Sequence, residues 1–282
     1  MIRKALNYLL DNRDRQLMAI AIGRGAAMMQ GRQTDLTCPV TWEFSAFSQN
    51  GEDGILDILR KQLKDSNRYF IEIGSADGIQ NNSSWLVVAE QYAGLMVEGN
   101  PKLVDRAKRL IPYYSLGAEC VNMFVDASSV QQLKKLAMYH DPDVFSLDID
   151  GVDYYVAEAL FSAGFRPKIF VVEYNSVFGP ERSMTVPYKK NFSFGTEHST
   201  RLYYGVAVSA WRKLFAKQGY RFVTVDSKGV NAFFVDPSSF DPSFLDAVVG
   251  VPFNENFYQL RKFRGDFVEQ FKLIADQRFV DV

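Results

Sequence analysis

Acidic residues stand at the ends of four apolar runs in this chain. Glu72 lies in Y-F-I-E-I-G-S-A-D-G (69–78) and Glu98 ends G-L-M-V-E (94–98). Asp148 and Asp150 close F-S-L-D-I-D, and Glu173 with Asn175 closes F-V-V-E-Y-N. The first pair has the chemistry of a nucleoside grip. A strand, a turn carrying Gly74, Ser75, Asp77 and Gly78, a helix, and an acid at the end of the next strand make a βαβ unit that holds a ribose. Gly74 lets the backbone approach the cofactor's amino-acid tail, and Glu72 or Asp77 is positioned to bind its ammonium group. Glu98 accepts from the ribose hydroxyls, and Asn100 with Pro101 follows where the adenine edge passes. The E-x-G-x-x-x-G spacing lacks the third glycine and the pyrophosphate cradle of G-x-G-x-x-G. A cofactor without a pyrophosphate, such as S-adenosylmethionine (SAM), fits it better.

The second group has different chemistry. Adjacent parallel strands bring their carboxyl ends side by side at the ligand crevice, so Asp150, Glu173 and Asn175 are expected to converge. Three hard oxygen donors there suit Mg²⁺ or a similar divalent cation. Such an ion lowers the pKa of an aliphatic hydroxyl and orients it for attack on a sulfonium methyl. His198 is the candidate general base, since the only other histidine, His140, sits in a turn.

Strands and helices must alternate to position these groups. Helices are expected at 52–63, 82–92, 101–110, 128–139, 152–163 and 201–218, from apolar spacing, a Pro at a first helical position and Ser caps. Strands are expected at 69–73, 94–97, 116–124, 144–149 and 168–172. Strands 220–225 and 230–235 are separated by only four residues, too few for a crossover, so they pair antiparallel. The expected fold is α/β: a doubly wound, Rossmann-like methyltransferase fold, with a mostly parallel seven-stranded sheet and a terminal antiparallel hairpin. Residues 1–44 read as an N-terminal helical arm, 45–240 as the cofactor domain, and 241–282 as a tail with a helix near 257–275. The insertion 176–204 is too long for a connector. It mixes cations with aromatics, and Arg182, Tyr188, Lys189 and Tyr204 are its candidate acceptor contacts.

Several stretches resemble FkbM-like SAM-dependent methyltransferases: F-S-Q-N-G-E-D-G-I-L (47–56), F-I-E-I-G-S-A-D-G, L-M-V-E-G-N-P, F-S-L-D-I-D-G-V-D-Y-Y-V (145–156) and G-V-N-A-F-F-V (229–235). The resemblance covers roughly residues 45–236. It implies O-methylation of a hydroxyl on a sugar or glycoconjugate, and it places Gln49 close to the cofactor. Where the family has D-x-E-G, this chain has Asp150-Gly151-Val152-Asp153. The alternative expectation is a catalytically silent protein of the same fold, acting as a scaffold.

Composition narrows the partners. The net charge of −1 over 282 residues implies no basic face, which argues against nucleic acid. Cys38 and Cys120 are too few for a disulfide framework. No run is long and apolar enough to span a bilayer, and no signal peptide is evident, so a cytoplasmic location is expected. Residues 1–34 carry six Arg/Lys against two Asp, a net +4. The arm is expected to pack on the domain or to join two copies as a homo-oligomer, with a peripheral membrane helix as the other reading. The acceptor is expected to be a small molecule or glycan.

Overall fold

The computed structural model describes residues 2–282, with side chains from Arg13 onward. Helix α1 (Ile2–Gln30) leads to α2 (Glu52–Lys61), and the wound sheet begins at β1 (Tyr69–Ile73). Then follow α3 (Ser84–Val88), β2 (Ala93–Glu98), α4 (Pro101–Leu110), β3 (Ala118–Asn122), α5 (Val130–Leu136), β4 (Val144–Leu147), α6 (Asp153–Ser162) and β5 (Ile169–Glu173). The later elements are β6 (Met184–Thr185), α7 (Phe194–Glu197), α8 (Val208–Lys217), β7 (Arg221–Val225), β8 (Asn231–Val235), α9 (Pro242–Ala247), α10 (Phe257–Phe263), α11 (Phe267–Lys272) and β9 (Val280–Asp281).

Seven strands form one sheet in the order β3-β2-β1-β4-β5-β8-β7. The first five are parallel, and β8 runs antiparallel to both β5 and β7. This is the expected methyltransferase layout. The reversal of strand order falls between β1 and β4, where the carboxyl ends open a crevice. The short connection at 226–230 forces the hairpin, and Gly229 turns it at φ +72°.

Both faces of the sheet are covered, so its strands are apolar runs rather than alternating ones. Ile71, Ile73, Phe145, Phe170 and Val172 face one core, which includes residues of α5, α6 and α8. Phe70, Met96, Val144, Ile169 and Val171 face the other, with residues of α2 and α4. This parity decides where Glu72 goes. It shares the Phe70 face, not the crevice edge.

The helix expected at 128–139 forms only over Val130–Leu136, and three other expected elements differ more. The helix expected at 82–92 forms only over Ser84–Val88. Its would-be first turn is held open, because Asn82 and Ser83 donate to Glu72 and the Ser84 hydroxyl donates to the Gly78 carbonyl. The helix expected from residue 201 starts at Val208. Leu202, Tyr203, Tyr204 and Val206 are all buried, a pattern with no helical period. The stretch runs extended across the crevice, with Gly205 N–H donating to Gly151 O and Asn175 N–H to Val206 O. The tail helix is split in two at Arg264 (φ +54°) and Gly265.

Both terminal segments dock on the domain. Asp14 accepts from Arg106 at 2.9 and 2.6 Å, and Met18 is buried against the cluster of Phe44, Phe47 and Trp85. At the other end β9 pairs with β6, Tyr203 Oη donates to Arg278 O at 2.6 Å, and Phe279 packs on Phe178. The C-terminus therefore clasps the 176–204 insertion. Among the described residues no helix is long and apolar enough to cross a membrane.

Candidate active site

Chain geometry forces a close approach at the crevice. Gly74 has φ +87°, and a Cβ on it would lie 1.7 Å from the Asp148 carbonyl oxygen. The ends of β1 and β4 can meet only because residue 74 has no side chain. Over this junction opens a cavity of about 630 Å³. Gln49, Gly74, Glu98, Asn100, Asp126 and Asp148 contribute to its wall, and Leu103, Met123 and Phe124 give it an apolar side. The size falls within the usual range for small-molecule sites, about 300–1,000 Å³.

Glu98 is oriented before any ligand arrives. One carboxylate oxygen accepts from Ala76 N–H at 3.1 Å and the other from Asn100 N–H at 2.7 Å. Each oxygen keeps a second lone pair for a ribose hydroxyl. Asn100 lines the cavity and caps α4 by accepting from Lys102 N–H. Across the cavity, Asp126 accepts from Ser128 N–H, Ser128 Oγ and Ser129 N–H. The Ser128 hydroxyl above all holds its pKa below the usual carboxylate range. Sequence reasoning missed Asp126, although D-A-S-S is an Asx-turn signature.

Four of the residues first assigned to the cofactor do not line this cavity. Glu72 is 3% exposed and accepts from Asn82 N–H, Ser83 N–H and the Ser83 hydroxyl. Burial pushes its pKa up to about 7. Ser75 is buried, and its carbonyl accepts from Asn81 Nδ2. Asp77 turns away to pair with Arg106 at 2.7 Å. Gly78, at φ +77°, faces Ala107 and Ile111 of the α4 region. These residues shape the turn; Gly74, Glu98, Asn100 and Gln49 face the cavity.

The second group converges with one exchange of members. Asp148, Asp150 and Glu173 each place a carboxylate oxygen within 4.8 Å of the others. Asn175 does not join them. Its amide donates to Leu202 O and Tyr204 O and its oxygen accepts from Val177 N–H, so it ties the 202–204 segment to β5. Asp148 takes the place expected for it.

Burial raises the pKa of Asp148 well above the ordinary range, with the charges of Asp150 and Asp153 adding to the effect. Glu173 rises in the same way, first through burial and then through Asp148. Burial also raises Asp150. Three like charges this close are costly unless protonated or matched by a cation. Asp153 is not a fourth member. It accepts from Ile149 and Gly151 N–H, both at 2.9 Å, and fixes the loop that carries Asp150. Asp150 itself has φ +52°, a strained conformation for a residue other than glycine.

A second cavity, of about 260 Å³, opens on the other side of Asp150. Asp150 is the one residue common to both linings. Tyr204 forms part of its wall and donates its hydroxyl to Glu173 at 3.3 Å. The rest comes from residues 194–202 and from α10, which the sequence had marked only as tail.

Three of the other candidates, His198, Arg182 and Tyr188, lie outside both linings. His198 lines neither cavity, and its Nδ1 is 2.8 Å from Thr200 Oγ1. Arg182 stacks over Phe271 at 4.1 Å, and Tyr188 packs on Tyr155 at 5.4 Å. Lys189 lines the larger cavity and pairs with Glu197 at 2.7 Å.

So many buried acids give the fold a distinct pH response. A carboxyl group whose folded pKa is raised stabilises the fold below its unfolded pKa, and this stability is lost as pH rises through the folded value. Burial lifts both Asp53 and Glu72 to about 7. The groups shifted down, Asp35, Asp126 and Asp241, start at 3.8, so their contribution is complete by about pH 5. The urea midpoint is therefore expected to fall between pH 5 and 8, and added Mg²⁺ should restore part of it at pH 8. A midpoint that held level or rose over this range would contradict the assignment.

No family model matches this chain, and no curated protein does. Among solved structures the chain is similar to the O-methyltransferase from Bacillus cereus in complex with SAH, at 16% identity over 78% of this chain and 89% of that one, with a TM-score of 0.45. It is similar to the O-methyltransferase TomG from Streptomyces achromogenes, in complex with SAM, at 13% identity over 67% and 80%, TM-score 0.43. The CurJ carbon methyltransferase is similar at 13% identity over 83% and 69%, TM-score 0.44.

Proposed function

We propose that this chain is a SAM-dependent O-methyltransferase of the FkbM-like type, acting on a hydroxyl of a sugar or glycoconjugate. The observation that carries this reading is the meeting of two cavities at Asp150. The larger is lined by Glu98, whose held carboxylate suits a ribose, and the smaller would take the acceptor.

In the reaction the acceptor oxygen forms a bond to the methyl carbon as the carbon–sulfur bond breaks. The sulfur keeps the bonding pair, leaving S-adenosylhomocysteine (SAH). Asp150, between the two cavities, takes the hydroxyl proton. His198 stands outside both linings, so the base role passes to the carboxylate. The fit to a divalent ion rests on the mutual repulsion of Asp148, Asp150 and Glu173. These residues would hold the ion, which would supply Lewis-acid polarisation of the hydroxyl.

Transfer of labelled methyl from SAM to a panel of sugars, suppressed by EDTA and restored by Mg²⁺, is the expected result. Binding of SAH with no transfer under either condition would instead favour the scaffold alternative. A finer test is Glu98→Gln. Losing the charge from the ribose contact is expected to weaken SAH about 10- to 100-fold by calorimetry. An unchanged affinity would place the ribose elsewhere.

A further inference from the structure

We propose that the smaller cavity takes an acceptor built as one ring with an anionic substituent, a phosphate or a carboxylate. Arg201 and Lys262 hold the anion, and the ring hydroxyls face Asp150. This rests on the methyl-transfer reading of the adjoining cavity.

Charge is distributed unevenly along the cavity. Asp150 contributes to its wall, and Tyr204, also in the wall, donates its hydroxyl to Glu173. A ligand that was anionic throughout would be repelled there. Arg201 and Lys262 are the two cations in the wall. Among the described residues neither has a carboxylate partner, and Lys262 only lies over the Phe263 ring at 4.9 Å. Two other cations of the 176–204 insertion are engaged elsewhere: Lys189 with Glu197, and Arg182 over Phe271. Arg201 also sits at φ +62°, a backbone strain that its neighbours must hold in place. A guanidinium and an ammonium in one cavity wall suit a phosphate or carboxylate.

Phe194, Tyr204, Tyr258 and Phe263 add aromatic surface to the wall, suited to contact with a ring. The volume of about 260 Å³ is below the usual range for drug-sized ligands. It has room for one substituted ring. The wall is also braced. Asn256 N–H donates to Ser176 Oγ at 2.9 Å, and Asn256 caps α10 through Tyr258 and Gln259 N–H. These bonds fix the start of α10 close to the end of β5.

Calorimetry on the full chain with Mg²⁺ and no added SAH tests this without any need for transfer. The probes are glucose, glucuronate and glucose 6-phosphate. A charged probe is expected to bind at least about tenfold more tightly than glucose. Which one does so identifies the anion. The double variant R201Q/K262Q is expected to lose that preference while binding SAH as the parent does, since neither residue lines the larger cavity. The proposal is overturned if neither charged probe binds more tightly than glucose, absence of binding included. It is equally overturned if the double variant keeps the preference. Failure of the parent chain to bind SAH would instead count against the methyl-transfer reading.

Discussion

Asp150→Asn is expected to lower methyl transfer by about a thousandfold, the joint scale of a lost general base and a lost ligand to an activating ion. The choice of Asn matters. Asp150 holds φ +52°, and Asn is among the residues that tolerate this region best. Its size and shape match those of Asp, so the loop over 149–153 keeps its bonds to the Asp153 carboxylate. What changes is the charge between the two cavities. Removing one of three crowded acids also relieves repulsion on Asp148 and Glu173, so the variant should be no less stable than the parent in the absence of Mg²⁺. SAH affinity is expected to remain within about threefold, because Glu98, the acid proposed to hold the ribose, is untouched. Initial rates and calorimetry check both parts. A variant retaining more than about a tenth of parental activity would remove Asp150 from the chemistry.

Gly74→Ala is the second large effect, and it acts through the fold. A left-handed φ costs an alanine about 1–2 kcal/mol. The added Cβ would also lie 1.7 Å from the Asp148 carbonyl oxygen, a contact that only movement of backbone can relieve. Overpacking of this sort typically costs about 1–3 kcal/mol more. The sum, about 2–5 kcal/mol, is a large fraction of ordinary domain stability. The strand ends it pushes apart carry Asp148 and the floor of the larger cavity, so SAH binding should fall with stability. Urea denaturation followed by SAH titration measures both. A stability loss under about 1 kcal/mol would mean that β1 and β4 do not meet as described.

The architecture was legible because burial leaves marks that sequence preserves. Apolar runs such as Phe170–Val172 signalled strands covered on both sides, and the four-residue gap before Val230 dictated the hairpin. The acids at strand ends marked the crevice. Side-chain direction was harder to read. Glu72 belongs to the same motif as Gly74, yet strand alternation turns it toward Asn82 and Ser83. That parity was available in the sequence, since residue 72 must share a face with Phe70. Asn175 was misplaced for a local reason. Asn followed by Ser-Val-Phe is a capping pattern, and its oxygen indeed accepts from Val177 N–H. Asp77 and the wall formed by α10 were beyond local reasoning. The Arg106 partner lies 29 positions away from Asp77, and Lys262 is separated from Arg201 by two strands and two helices. Only the folded chain brings such groups together.

The central claim is that the cavity over Gly74 and Glu98 holds SAM, and calorimetric titration of the full chain tests it most directly. SAH is expected to bind at one site per chain, with NAD⁺ giving no heat of binding. Binding of NAD⁺ with none of SAH, or no binding of either, would contradict it.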